Sequence, residues 1–127
     1  MLDRGLEGRS VLIVEDDFDV RDALSQLLEF EGYLVAGAAN GQEAIDHLRS
    51  TPRPMAILLD LMMPIMDGYQ FRSELMRDPS LASIPVIVIS ADSSVAEKAA
   101  RMGATAYLRK PIEVDALLHM LERCCVA

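Results

Sequence analysis

Ile57-Leu58-Leu59-Asp60-Leu61-Met62-Met63-Pro64-Ile65-Met66-Asp67-Gly68 carries a single carboxylate to the end of an apolar run and then turns. Three large apolar residues before an aspartate suit the last residues of a parallel strand covered on both faces, where alternation is not required. Pro64 and Asp67-Gly68 then close the strand and open a helix. Ligands of open α/β sheets bind in the crevice outside the carboxyl ends of the strands, so an aspartate there reaches solvent while its backbone stays rigid. Taken alone, Asp60 reads equally well as a turn cap.

Working outward, Ser10-Val11-Leu12-Ile13-Val14 is a β-branched run that stops at Glu15-Asp16-Asp17, a buried first strand with acids at its carboxyl end. Val20, Ala23, Leu24, Leu27 and Leu28 then recur at helical spacing, with Arg21, Ser25, Gln26 and Glu29 on the opposite side and Gly32 as the stop. Leu34 to Ala38 is a weaker second strand, and Asn40 with Glu43 forms a capping box for a helix through Ala44, Ile45 and Leu48. Pro52 and Pro54 break that helix. After the Asp60 strand, a helix runs from about Gly68 to Met76 with Tyr69, Arg72 and Leu75 on related faces. Val86-Ile87-Val88-Ile89 is a fourth strand ending at Ser90. Ser94 and Glu97 read as a second capping box, and Gly103 as that helix's stop. Ala106-Tyr107-Leu108-Arg109 is a short fifth strand ending at Lys110-Pro111, and Val114, Leu117, Leu118 and Leu121 stripe a last helix. Residues 1–9 are a polar lead-in and 10–127 one domain. Strands and helices alternating five times indicate α/β architecture with a parallel sheet.

Composition agrees with one domain and removes several function classes. A chain of 127 residues, 51% hydrophobic and 25% charged, has material for a real core. Its net charge of -8 argues against nucleic acid and anionic membrane, which need a basic surface. No apolar run approaches the roughly 18 residues of a membrane span. Met1-Leu2-Asp3-Arg4-Gly5 lacks the core of a signal peptide, and a cytoplasmic location is expected. Cys124-Cys125 has neither metal-site spacing nor a distant partner and reads as a pair of partly buried or fraying thiols.

The polar residues at the strand ends make the sequence specific. Glu15-Asp16, Asp60, Ser90 and Lys110 end strands one, three, four and five, and a parallel sheet brings all carboxyl ends to one edge. Three carboxylates held together need a cation, and a hard divalent ion with few protein oxygens and room for water is Mg²⁺. Lys110 adds a point charge and Ser90 a rotatable hydroxyl donor. Such a set suits a phosphoryl group, with Asp60 placed to become an acyl phosphate. Individually, Lys110 also reads as a surface salt bridge, Ser90 as a helix cap and Glu15-Asp16 as a solvated acidic corner.

These segments, Val11 to Asp17, Leu59 to Gly68, Pro85 to Ala91 and Lys110-Pro111, together resemble the receiver domain of two-component response regulators. The likeness covers nearly the whole chain. It implies a doubly wound, flavodoxin-like three-layer α/β sandwich, a five-stranded parallel sheet of order 2-1-3-4-5 with five helices. It further implies Asp60 as phosphoacceptor, Asp16 and Asp60 as direct Mg²⁺ ligands, Glu15 as an acid acting mostly through water, and Met62 as a backbone-carbonyl ligand. Ser90 would be the hydroxyl that moves toward the phosphoryl group, Tyr107 the aromatic whose rotamer follows, and Lys110 the phosphoryl-binding lysine before a cis Lys110-Pro111 bond. Read on its own, Tyr107 also suits a half-buried aromatic filling the sheet edge. Glu15 and Ser90 stand where aspartate and threonine are commoner in the family.

The implied activity is acceptance of a phosphoryl group from a histidine kinase or phosphotransfer protein by a regulator that is not an enzyme in the ordinary sense. Signalling would follow by phosphorylation-dependent docking to a downstream protein, with a homodimer through the fourth helix, fifth strand and fifth helix also in view. The chain ends soon after the fifth helix, so output by docking, or excision from a longer protein, is expected. Three other readings compete. A haloacid-dehalogenase-type phosphatase also uses an aspartate nucleophile, but Asp60-Leu61-Met62 lacks a second acid. A flavodoxin-like cofactor binder needs a phosphate loop where Glu15-Asp16-Asp17 stands. A pseudo-receiver acting as a docking module is opposed by the intact acids, hydroxyl and lysine.

Overall fold

In the computed structural model, which describes residues 9–63 and 66–125, five strands and five helices alternate along the chain. They are β1 (Ser10–Val14), α1 (Phe18–Phe30), β2 (Leu34–Ala38), α2 (Gly41–Ser50), β3 (Ala56–Asp60), α3 (Gly68–Arg77), β4 (Val86–Ser90), α4 (Val95–Arg101), β5 (Ala106–Arg109) and α5 (Val114–Cys125). All strands pair in parallel in the order β2-β1-β3-β4-β5. Most of the lead-in, the expected strand-closing Pro64 and the last two residues of the expected 10–127 domain lie outside the described residues.

Alternation along the strands sorts the core into two layers. Leu12, Val14, Ile57, Leu59, Val86 and Val88 pack with Ala44, Leu48, Phe71, Leu75, Val95 and Ala99, which belong to α2, α3 and α4. Val11, Ile13, Leu58, Ile87 and Ile89 pack on the other face with Leu24 and Leu28 of α1 and Leu117 and Leu121 of α5. Because both faces are covered, β3 and β4 are buried at every position, which is why they read as unbroken apolar runs.

The helix starts follow the chain's own polar side chains. Asp17 caps α1 by accepting from the Asp19 and Val20 amides. Asn40 caps α2 by accepting from the Glu43 amide, while Glu43 reaches past the cap to the Ala39 amide, so the expected box is closed one residue upstream. A full box forms instead at α3, between Asp67 and Gln70, a pairing the sequence reading passed over. The box expected from Ser94 and Glu97 does not form. Ser94 makes no capping bond, because its hydroxyl and its amide both donate to the Asp92 carboxylate, a charged and therefore stronger acceptor.

Gly32 (φ 95°) and Gly103 (φ 70°) occupy left-handed conformations just past α1 and α4, as expected of helix stops. The apolar stripes are narrower than the periodicity suggested: Ala23 and Val114 are exposed, and Leu27 and Leu118 only half-buried. Cys124 is half-buried against the α1/α5 layer, and the Cys125 side chain lies outside the description. No helix among the described residues is long and apolar enough to cross a membrane.

Candidate functional site

Four strands deliver their last residues to one edge of the sheet. Asp60 ends β3 beside Ile89, and Ser90, one residue further, ends β4 beside Arg109. The Lys110 amide donates to the Ser90 carbonyl at 2.9 Å, so the lysine leaves β5 directly beside the end of β4. The Lys110-Pro111 bond is cis, as the resemblance implied. Gly68 allows the close fit of α3 against the end of β3. A Cβ there would lie 2.9 Å from the Leu61 Cα and 3.3 Å from the Asp60 carbonyl oxygen.

Around Asp60 the charges converge. One carboxylate oxygen from each of Glu15, Asp16 and Asp60 lies within 4.8 Å of the others, Glu15 and Asp60 buried and Asp16 exposed. Lys110 Nζ donates to Glu15 Oε1 at 2.9 Å and lies 3.7 Å from Asp60 Oδ2. Asp60 Oδ1 accepts from the Met62 amide at 3.1 Å, which orients the carboxylate, while the Met62 side chain points to solvent at 68% exposure. Glu15 Oε2 accepts from the Asp17 amide at 3.2 Å. Burial pushes the Glu15 carboxyl above its ordinary value; the neighbouring Asp60 adds to this and Lys110 opposes it. Burial alone would lower the Lys110 ammonium, but the Glu15 and Asp60 carboxylates outweigh it and hold it above the usual range. The Lys110 shift reflects the two carboxylates beside it, whereas that of Glu15 reflects burial first and Asp60 second.

Ser90 is 2% exposed, and its Oγ accepts from the Asp92 amide at 3.1 Å, leaving the hydroxyl proton to be aimed elsewhere. Beyond it the β4–α4 loop is tied down twice. Asp92 pairs with Lys98 of α4, whose ammonium, with the Ser94 bonds, holds the Asp92 carboxyl far below the usual carboxylate range. Arg109 donates to the Ser93 carbonyl at 3.1 Å. Tyr107, further back on β5 beside Val88, is 44% exposed on the edge strand.

Two basic residues that the sequence reading placed only on helix faces reach backbone carbonyls of other segments, Arg21 at this edge and Arg72 away from it. Arg21 of α1 donates to the Glu15 backbone carbonyl at 2.6 Å. Arg72 of α3 donates through Nε and Nη2 to the Met102 and Gly103 carbonyls, each at 3.0 Å, at the carboxyl end of α4. Cations are favoured there by the helix dipole. Helical periodicity marks which face a residue is on, but not a backbone carbonyl reached on another element.

A five-stranded sheet of this order, with acids, a hydroxyl and a lysine at its carboxyl edge, defines a class of phosphoryl-accepting signalling domains. The profile of the response regulator receiver domain matches residues 11–122, and the chain belongs to that family. It is 40% identical over 110 residues to the response regulator MprA of Mycolicibacterium vanbaalenii, an alignment covering 85% of this chain and 46% of that one. The same protein of Mycobacterium avium matches at 40% over 110 residues, with 85% and 47% covered. The chain thus spans about half the length of the curated relatives it matches. Among solved structures, the receiver domain of a signal transduction histidine kinase from Syntrophus aciditrophicus shares 34% identity at a TM-score of 0.82, covering 91% of this chain and 89% of that one. The chemotaxis response regulator CheY4 of Vibrio cholerae shares 31% at 0.82, covering 91% and 97%. The receiver domain of a sensor histidine kinase from Pseudomonas aeruginosa, solved with magnesium coordinated in its active-site cleft, shares 28% at 0.85, covering 94% and 99%.

Proposed function

We propose that this receiver domain takes a phosphoryl group onto Asp60 from the phosphohistidine of a histidine kinase or phosphotransfer protein. The observation that carries the reading is the meeting of Asp60 with Lys110, Glu15 and Asp16 at one sheet edge, with Ser90 at the end of the adjoining strand. In the transfer, an Asp60 carboxylate oxygen attacks phosphorus in line while the bond from phosphorus to the imidazole nitrogen breaks, its electron pair returning to the ring. Lys110 balances charge on the phosphoryl oxygens, and the Ser90 hydroxyl donates to one of them. The protein is on this reading a phosphoacceptor that assists its own phosphorylation and dephosphorylation, acting in the cytoplasm.

The donor set fits Mg²⁺: oxygen ligands only, more negative charge than Lys110 neutralises, and an exposed Asp16 that leaves room for water. Glu15, Asp16, Asp60 and the Met62 carbonyl would hold the ion, which when bound neutralises charge on carboxylate and phosphoryl oxygens. The magnesium in the cleft of the Pseudomonas aeruginosa relative supports this choice of metal.

For output, the Ser90 hydroxyl drawn toward a phosphoryl oxygen pulls the β4–α4 loop inward and Tyr107 turns in from the surface, reshaping the face of α4, β5 and α5. That face would receive a downstream protein or a second copy of the chain. One or two charge-assisted hydrogen bonds shift a population between two states and do not impose one.

Incubation with acetyl phosphate and Mg²⁺, followed by intact-mass measurement, tests the reading. One phosphoryl group on wild-type protein, and none on Asp60→Asn, is expected. No phosphoryl group under any donor would leave the pseudo-receiver reading in its place.

A further inference from the structure

We infer that Arg21 is a positioning residue for the acidic turn, holding the Glu15 backbone carbonyl so that Glu15 and Asp16 present their carboxylates together to a divalent cation. The inference rests on the metal reading above and goes beyond it by assigning a role to a residue that touches no proposed ligand atom.

The turn from Glu15 to Asp17 is held at its far end by Asp17, which caps α1 and whose carbonyl accepts the Arg21 amide at 2.9 Å. The Glu15 amide donates to the Ala38 carbonyl at 3.0 Å, and the Glu15 side chain is held by the Asp17 amide and Lys110. Among the described residues the Asp16 side chain has no hydrogen-bond partner, so the backbone that carries it sets where the side chain starts and which space it can sweep. That backbone is the planar Glu15–Asp16 peptide, whose orientation is fixed once its carbonyl oxygen is fixed. Arg21 Nη1 fixes it at 2.6 Å, with a charged donor. Because the guanidinium takes the carbonyl and not a carboxylate, the ligand oxygens stay available.

The guanidinium is itself aimed by its surroundings. Its carbon lies 5.5 Å from the centre of the Phe18 ring. The stem crosses β2 at Gly37, where a Cβ would stand 3.0 Å from Arg21 Cδ and 3.4 Å from Cγ and Nε. Gly37 pairs with Ile13 near the end of β1. Glycine weakens a strand interior, so its presence here trades strand stability for room beside the arginine. A Cβ at position 37 would require the arginine stem to give by a few tenths of an ångström, which ties the aim of the guanidinium to this position.

The experiment is Mg²⁺ affinity by isothermal titration on the full chain, read beside the melting temperature in Mg²⁺-free buffer. Arg21→Ala is expected to weaken Mg²⁺ binding at least fivefold. Arg21→Lys should recover part of the loss, as a lysine donates to the same carbonyl without the rigid fork. Gly37→Ala should weaken Mg²⁺ binding while leaving the melting temperature unchanged or higher, a divergence that a merely structural role would not produce. In the Arg21→Ala background the Gly37→Ala effect on affinity should vanish. If Arg21→Ala does not fold, Arg21→Lys and Gly37→Ala carry the test. Wild-type affinity in the folded Arg21 variants, or an equal Gly37→Ala effect in both backgrounds, overturns the inference alone. Absence of Mg²⁺ binding by wild type overturns the metal reading and this inference with it.

Discussion

Replacing Asp60 with asparagine isolates the charge at the centre of the site while keeping its shape and an oxygen to accept the Met62 amide. At an effective dielectric of about 20, unit charges no more than 4.8 Å apart repel by at least about 3.5 kcal/mol, and Lys110 at 3.7 Å attracts Asp60 by about 4.5 kcal/mol. Asparagine removes the attraction together with the repulsion from buried Glu15 and from Asp16, whose exposed charge is screened to a smaller share. The metal-free variant is therefore no more than about 1 kcal/mol less stable than wild type. Mg²⁺ at a hundredfold excess over its Kd adds about 2.7 kcal/mol to wild type. For a chain of 127 residues that is a rise of about 10 °C in Tm. With one carboxylate gone, less than half of this rise is expected in the variant. Differential scanning fluorimetry across a Mg²⁺ titration, with intact mass after acetyl phosphate treatment, reads both effects. An undiminished Mg²⁺ response, or acyl phosphate formed at the wild-type rate, would refute the assignment of Asp60.

Three further outcomes are expected. Ser90→Ala should still be phosphorylated but lose most of the phosphorylation dependence of partner affinity; a full wild-type change in affinity would end the proposed route from β4 to Tyr107. Asp92→Ala removes the acceptor of the Ser94 amide and the partner of Lys98, so amide hydrogen exchange at Ser94 should speed up while exchange within β3 does not. Glu15, raised on folding, contributes stability that is fully present below the ordinary carboxyl value and lost as pH rises through its folded value. In Mg²⁺-free buffer, urea unfolding from pH 4 to 8 should show this decline in wild type and a flatter profile in Glu15→Gln.

Strand ends were legible because a buried parallel strand must be apolar and must stop at a polar residue, so Glu15, Asp60, Ser90 and Lys110 mark the sheet edge in the sequence itself. Strand order came from family likeness, since alternation of elements fixes neither neighbour nor edge. Local capping was half legible. Asn40 keeps the Glu43 amide because the Glu43 carboxylate turns to the Ala39 amide, whereas Ser94 has the Asp92 carboxylate two residues away and is captured by it. Arg21 and Arg72 were hidden because their acceptors are backbone carbonyls on other elements, in the case of Arg72 thirty residues along the chain. Nothing in the residue type at an acceptor position announces that its carbonyl is engaged.

The seven residues of α4 bury only Val95 and Ala99, and the helix is steadied from outside by Arg72 at one end and by the Asp92–Lys98 pair at the other. Its remaining exposed positions, Ala96, Glu97, Ala100 and Arg101, answer to no packing requirement. Mutation can therefore rewrite this stretch almost freely while the sheet and its acids stand unchanged. On the proposed docking face, drift at these four sites would change correspondents without touching the acids, which separates the inheritance of the chemistry from the inheritance of the wiring.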